Sequence, residues 1–244
     1  MEYKEFYQYC TDIFDKNDYL PPLDNEKAEK LYLLTQHMLE VNKTMNLTAI
    51  KDEKSVILRH YADSLAICNY IKAGASVIDV GCGAGFPTIP LAIFRPDISI
   101  TALDSTQKRI DYVALTAKML NVGNVTAIAE RAEVLANNPE YREKFDYATA
   151  RAVASLPILA ELCLPFVKPS GQFISMKSVK AFDELDLSIN AIAKCGGRLN
   201  NFASAFLTDL DGSQEARTII LIDKIVKTPK EFPRHYSKIS KKPL

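Results

Sequence analysis

The chain has 244 residues, 48% apolar and 25% charged, with thirty basic against thirty acidic side chains, which suits one α/β domain of roughly 100–200 residues plus an appendage. No apolar run reaches the ~20 residues of a membrane span, since the longest, Val153–Val167, is broken by Pro157, Glu161 and Pro165, and the N-terminus is polar, so a cytoplasmic protein without a secretory signal is expected. Five scattered cysteines (Cys10, Cys68, Cys82, Cys163, Cys195) and three dispersed histidines argue against a disulfide framework or a metal site, and each cysteine reads as a small buried apolar residue.

Residues 1–72 read as a helical extension. After Pro21-Pro22, Asp24 can cap a helix whose Ala28, Leu31, Leu34, Met38 and Val41 recur at spacings of three and four. A second helix starts near Asp52 and turns Val56, Ile57, Tyr61 and Leu65 inward, with Arg59 and Asp63 four apart on a shared face. Residues 73–226 change pattern. Short β-branched runs (75–80, 98–103, 125–129, 145–150, 172–176) alternate with helix-length segments, as in parallel βαβ units. One such helix spans 105–120, with Ser105 as cap and Asn121 and Gly123 as terminators. Runs 198–207 and 217–226 have the spacing of a closing antiparallel pair. Residues 227–244 form a basic tail: from Lys224 onward seven basic residues face one acid, Glu231, a net +6 on a body of −6. That asymmetry suits a polyanion, or simply a solvated end.

The stretch Val77-Ile-Asp-Val-Gly-Cys-Gly-Ala-Gly-Phe86 carries the chemistry. A strand ends at Asp79, and Gly81, Gly83 and Gly85 precede the next helix. Glycines there permit positive φ and leave room for a ligand beside a helix N-terminus. Phe86 stands where a dinucleotide fingerprint needs its third glycine, and no Gly-Lys-Ser/Thr follows. The second strand ends at Asp104, 23 residues past Gly81, where a carboxylate can accept from both hydroxyls of a ribose.

The form Asp-x-Gly-x-Gly-x-Gly resembles motif I of the class I S-adenosylmethionine-dependent methyltransferases. Further strings narrow the resemblance: Asn46-Leu-Thr-Ala-Ile50, Arg59-His-Tyr-Ala-Asp-Ser-Leu65, Gly81–Pro87 with Ile89-Pro-Leu91, Leu103-Asp-Ser105 with Lys108, Arg131-Ala-Glu133, Arg151-Ala152 and Lys177. Together, from about residue 20 onward, they are similar to the bacterial 16S rRNA guanine-N7 methyltransferases, the glucose-inhibited division protein B family. The resemblance implies a Rossmann-like, mostly parallel seven-stranded sheet with an N-terminal helical extension. It implies S-adenosylmethionine as cofactor, S-adenosylhomocysteine as product, no metal, 16S rRNA or the small ribosomal subunit as partner, and a monomer. Asp79, Gly81, Gly83, Gly85, Phe86, Asp104, Ala132, Glu133 and Arg151 would form the cofactor site; Asn46, Arg59, His60, Asp63, Arg131 and Lys177 would lie near the methyl group or the RNA. The chain departs from the family's pattern at Thr88 and Ser178, where glycine is usual, and at His235–Ser240, where the family's tail is glycine-rich.

A guanine N7 has a lone pair and no proton, so alignment and charge tolerance are the work required. The chain lacks the Asn/Asp-Pro-Pro-Tyr string of amino-group methyltransferases and a Pro-Cys nucleophile; Arg151-Ala-Val-Ala stands there instead. Read without the resemblance, Arg59 and Asp63 are an ordinary helical ion pair and His60 a packing histidine, whereas Arg131 and Lys177 follow strand ends, where open α/β sheets bind ligands. Two rivals stay open on the residues alone: a small-molecule methyltransferase of the same fold, and a noncatalytic RNA-binding assembly factor.

Overall fold

The protein is described here by a computed structural model covering residues 1–178 and 182–244. The first five strands, β1 (Ser76–Val80), β2 (Ser99–Asp104), β3 (Val125–Ala129), β4 (Phe145–Arg151) and β5 (Val167–Ser178), run parallel in one sheet. Two more, β6 (Gly197–Thr208) and β7 (Gln214–Lys224), complete the order β3-β2-β1-β4-β5-β7-β6, with β7 antiparallel to β5 and to β6. Register pairs Val80 with Leu103, Asp104 with Ala129, and Arg151 with Met176. The carboxyl ends of β1–β5 therefore meet along one edge, the edge that binds ligands in open α/β sheets.

The expected helices form for the expected reasons. In α1 (Tyr3–Lys16) and α2 (Asn25–Met45) the buried face recurs every three or four residues, and Asp24 Oδ1 accepts from Lys27 N at 2.8 Å. Asp52 caps α3 (Glu53–Val56) through Ser55 N. That helix continues into a π-helical stretch, Ile57–Ala62, and then α4 (Asp63–Leu65). Val56, Ile57, Tyr61 and Leu65 are all fully buried. These residues share one apolar core with the sheet and with α5 (Thr88–Phe94) and α6 (Gln107–Met119). Phe14 stacks on Phe94 at 5.6 Å, and Asn17 both donates to Thr208 O and accepts from Thr208 N. The opposite face carries α7 (Ala132–Leu135), α8 (Leu156–Cys163), α9 (Phe182–Lys194) and α10 (Tyr236–Lys241). Among the described residues no helix is long and apolar enough to cross a membrane. All five cysteines are buried and free.

Three local expectations change. Ser105 does not cap α6; the helix starts after an extended Thr106 whose side chain makes no capping hydrogen bond, while Asp104 Oδ1 accepts from Thr106 N at 2.8 Å. Arg59 and Asp63 do not pair. The i→i+5 winding through Ile57–Ala62 turns Asp63 away from the place it would hold in an α-helix, and each finds a distant partner. Finally, the basic end begins later than its sequence suggests. Lys224 is fully buried, its Nζ donating to Leu164 O (2.8 Å), Cys195 O and Thr228 Oγ1 beside Glu143. Burial lowers its pKa to about 8. Arg234 grips the fully buried Glu161 with Nε and Nη2 at 2.8 and 2.6 Å.

Candidate active site

A cavity of about 410 Å³ opens at the carboxyl ends of β1–β4, within the size range of small-molecule and cofactor sites. Its floor is the turn after β1. Gly81, Gly83 and Gly85 all have positive φ (77°, 56° and 84°), which side chains other than glycine rarely adopt. The three differ in what surrounds them. A Cβ on Gly83 would meet nothing closer than 4.0 Å and would stand in the open cavity, whereas one on Gly81 would lie 2.6 Å from Val153 Cγ2. Gly85 is outside the cavity; a Cβ there would strike Ile89 at 2.8 Å, so its role is to let α5 close on the loop.

Asp79 also lies outside the cavity. It is buried, with Oδ2 accepting from Thr88 Oγ1 (2.6 Å) and Oδ1 from Thr149 Oγ1 (3.2 Å), and burial raises its pKa to about 6 against the pull of those donors. The threonine at 88, where the family usually has glycine, thus ties the start of α5 to the end of β1. Asp104 does face the cavity. One oxygen accepts from Gly83 N at 3.1 Å, and Arg109 Nη1 stands 3.6 Å from it. Two backbone-lined glycines beside an available carboxylate suit an adenosine: ribose hydroxyls for Asp104, close approach over Gly83.

The β4 end is built from side chains brought together from afar. Arg151 donates through Nη1 to Asp63 Oδ2 (2.9 Å) and to Arg59 O (3.0 Å), and through Nη2 to His60 Nδ1 (3.2 Å). Because Nδ1 accepts, the proton of His60 is on Nε2, which donates to Thr48 Oγ1 at 2.9 Å. Thr48 is itself pinned by Asn42, which accepts from its N–H and donates to its carbonyl. His60 stacks on Phe86 (4.3 Å, 7°), with the Arg151 guanidinium 5.6 Å from the same ring. Burial, and then Arg151, lower the His60 pKa to about 3. The imidazole stays neutral and both nitrogens are engaged. Asp63 also accepts from Arg217 Nε at 3.2 Å, and Arg59 pairs with Glu215 at 2.6 Å.

A second cavity, about 390 Å³, adjoins the first and shares Arg151 and Ala152 with it. Lys177 borders it, donating to Ala154 O (2.6 Å) and Glu184 Oε2 (2.8 Å), while Glu184 also accepts from Leu156 N. Lys177 therefore braces the loop between β4 and α8, which roofs Gly81 with Val153. Ser178 closes β5 opposite Arg217.

At the opposite end, past β3, the cavity is bounded by Arg131, Ala132 and Glu133. Glu133 is buried, and Oε1 accepts from Tyr236 N at 3.3 Å. Arg131, grouped with Lys177 on the resemblance, sits here at the far end from it. Asn46 is exposed and outside both cavities; its left-handed φ of 50° ends α2. Sequence reasoning passed over Thr48, Arg217, Glu184 and Tyr236. Thr48 lay inside a recognised string; the other three have no local signal.

The sheet order with β7 reversed between β5 and β6, the glycine turn after β1 and the carboxylate ending β2 define a class I S-adenosylmethionine-dependent methyltransferase. Solved structures share that fold. A methyltransferase from Methanosarcina mazei aligns with a TM-score of 0.52 at 15% identity, over 66% of this chain and 97% of its own. One from Aquifex aeolicus gives 0.51 at 16%, over 70% and 93%. Within that class, the chain belongs to the rRNA small subunit methyltransferase G family, which matches residues 27–209. A protein of Clostridium perfringens strain 13 named ribosomal RNA small subunit methyltransferase G is 39% identical over 91% of this chain and 92% of its own. Its namesake in Leuconostoc citreum is 42% identical over 93% and 95%.

Proposed function

We propose that the protein transfers a methyl group from S-adenosylmethionine to N7 of a guanine in the decoding-centre loop of 16S rRNA. The observation that carries this reading is the paired cavity, a nucleoside-shaped site over Gly83 and Asp104 joined through Arg151 and Ala152 to a polar chamber beside it. When bound, the cofactor supplies an electrophilic sulfonium methyl. The chain's contribution is placement. Gly81 and Gly83 allow close approach, Asp104 holds the ribose, and the β4–α8 loop, braced by Lys177 and Glu184, sets the boundary between cofactor and base. An extruded guanine costs a few kcal/mol of stacking energy, recovered by contacts in the second cavity.

No residue in this reading removes a proton from the base. His60 has neither a free lone pair nor the basicity for it, and Asp63 is held by two arginines. Its role and that of His60 is to fix Arg151. The protein works in the cytoplasm on RNA that the exposed lysines of the tail help to hold.

The test is methyl transfer from labelled cofactor to small-subunit rRNA, mapped by borohydride and aniline cleavage, which is selective for N7-methylguanine. One cleaved guanine in the decoding-centre loop is expected, with a single-turnover rate flat between about pH 6 and pH 9 because no base titrates. Labelling without cleavage would move the methyl group to another atom, and no labelling of RNA would return a small-molecule acceptor to consideration.

A further inference from the structure

The tail of this chain departs from the family's glycine-rich pattern at His235–Ser240, and the structure puts one of those residues, Tyr236, on the wall of the cofactor cavity. Its position is fixed by several independent anchors. Arg234, two residues earlier, grips the buried Glu161. The Tyr236 N–H donates to Glu133, His235 caps α10 through Ser237 N, and Ile239 is fully buried beneath the helix. The Arg131 guanidinium lies 5.2 Å from the centre of the Tyr236 ring.

The direction of the ligand follows from the two ends of the cavity. Asp104, at the end of β2, is the group suited to a ribose. The β4 end adjoins the second cavity through Arg151 and Ala152, so the methyl-bearing half of the cofactor must extend that way. The purine is left the β3 end, where Arg131, Glu133 and Tyr236 stand. An aromatic ring is a good surface for a purine, since stacking works for any base with a π-face, and a cation against the ring adds to its attraction.

We propose that Tyr236 is a cofactor-binding residue of this chain, its ring packing against the adenine of S-adenosylmethionine while Arg131 braces it. The inference rests on the cofactor reading above. It gives the C-terminal segment a part in binding the cofactor as well as whatever part its lysines take with RNA.

The chain contains no tryptophan, so Tyr236→Trp places a single indole, excitable apart from the tyrosines, at the proposed contact. S-adenosylhomocysteine should quench it, excess adenosine should quench it likewise, and methionine should not. By calorimetry, Tyr236→Ala should weaken S-adenosylhomocysteine by about tenfold, the scale of one base–aromatic contact, with Tyr236→Phe close to wild type. Thermal unfolding of Tyr236→Ala should stay near wild type, since Arg234 and Ile239 hold α10. Calorimetric binding to Tyr236→Trp without quenching, or wild-type affinity in Tyr236→Ala, overturns the inference and leaves the cofactor reading intact. Failure of the wild-type protein to bind S-adenosylhomocysteine overturns both.

Discussion

The two ends of the cofactor cavity are built by different means. At the β1–β2 side the instrument is backbone: three closely spaced positive-φ glycines and one carboxylate, all within 24 residues of sequence counted from Gly81 to Asp104. At the β4 end the instrument is charge. Arg151 meets partners 88 and 91 residues away, and Arg217 reaches Asp63 across 154. The first arrangement exists as soon as a strand, a turn and a helix form locally. The second exists only once the N-terminal helices have docked and β7 has entered the sheet. Cofactor affinity should therefore answer mainly to the glycine side, and the integrity of the N-terminal docking mainly to the charged side.

The largest effect expected on that comparison comes from Asp63→Ala. It leaves Arg151 without a carboxylate and Arg217 with Glu215 alone, both partly buried and facing each other. Removing one partner of a buried ion pair costs about 3–5 kcal/mol, read as a lower urea midpoint. If stability is unchanged, the network is dispensable and the contrast collapses.

Next is the pH response of His60. Its unfolded imidazole titrates near its usual value of about 6.5, the folded one at about 3. Between those values the unfolded chain binds more protons, so this contribution is complete above the unfolded pKa and is lost as pH falls towards the folded one, by roughly 3 kcal/mol between pH 6.5 and pH 4. Asp79 acts in the opposite sense, because its raised folded pKa of about 6 means the folded state gains protons first as pH falls from there. The measurement is therefore the difference between wild type and His60→Asn across that range. Parallel pH–stability curves would show that the imidazole is not held neutral.

The sequence disclosed these two ends unequally. The strand pattern, the cap at Asp24, the helix start near Asp52 and the glycine turn are consequences of neighbouring residues, and they stand where periodicity and spacing place them. The resemblance added the right segments for the charged end but could not say how they meet. Read without it, Arg59 and Asp63 form a local pair, which the π-helical winding separates. The resemblance put Asn46 in the site, where its neighbour Thr48 faces the cavity and Asn46 ends a helix. Asp79 and Gly85, inside the motif, support the loop from behind. Arg217 and Tyr236 could not be found by any local rule, because only tertiary docking brings them to the site. Lys224 looked like part of a basic end because burial depends on Leu164, Cys195 and Thr228, none of which neighbours it in a way that spacing reveals.

A smaller effect tests the backbone side. Asp104→Ala removes a charged hydrogen-bond acceptor from the proposed ribose site, which should weaken S-adenosylhomocysteine by about 1.5–3 kcal/mol, measured by titration calorimetry. Because Asp104 also accepts from Gly83 N and Thr106 N, Asp104→Asn is the companion variant. It keeps one acceptor oxygen and should recover part of the loss. Unchanged affinity in both, with the fold intact, would remove Asp104 from the cofactor site.

The smallest effect concerns the third region, the tail, where the comparison can be sharpened. Lys224 and Arg234 are committed to Thr228 and Glu161 inside the protein, so they have nothing to offer a phosphate. Lys238, Lys241 and Lys242 are exposed on or just after α10, the helix that carries Tyr236 to the cofactor cavity. Replacing these three by alanine should weaken RNA binding modestly at physiological salt. It should also flatten the log–log salt dependence by about 0.7–0.9 for each lysine–phosphate pair removed, since each pair releases about that fraction of a counterion. Cofactor affinity should stay unchanged, because none of the three lysines borders the cavity. An unaltered salt slope would make the tail a cofactor element alone and send the RNA to another cationic surface, such as exposed Lys51 and Lys54 beside the N-terminal helices. A reduced slope together with weaker cofactor binding would mean that RNA and cofactor are coupled through α10, and the two functions of the tail could then no longer be separated by mutation.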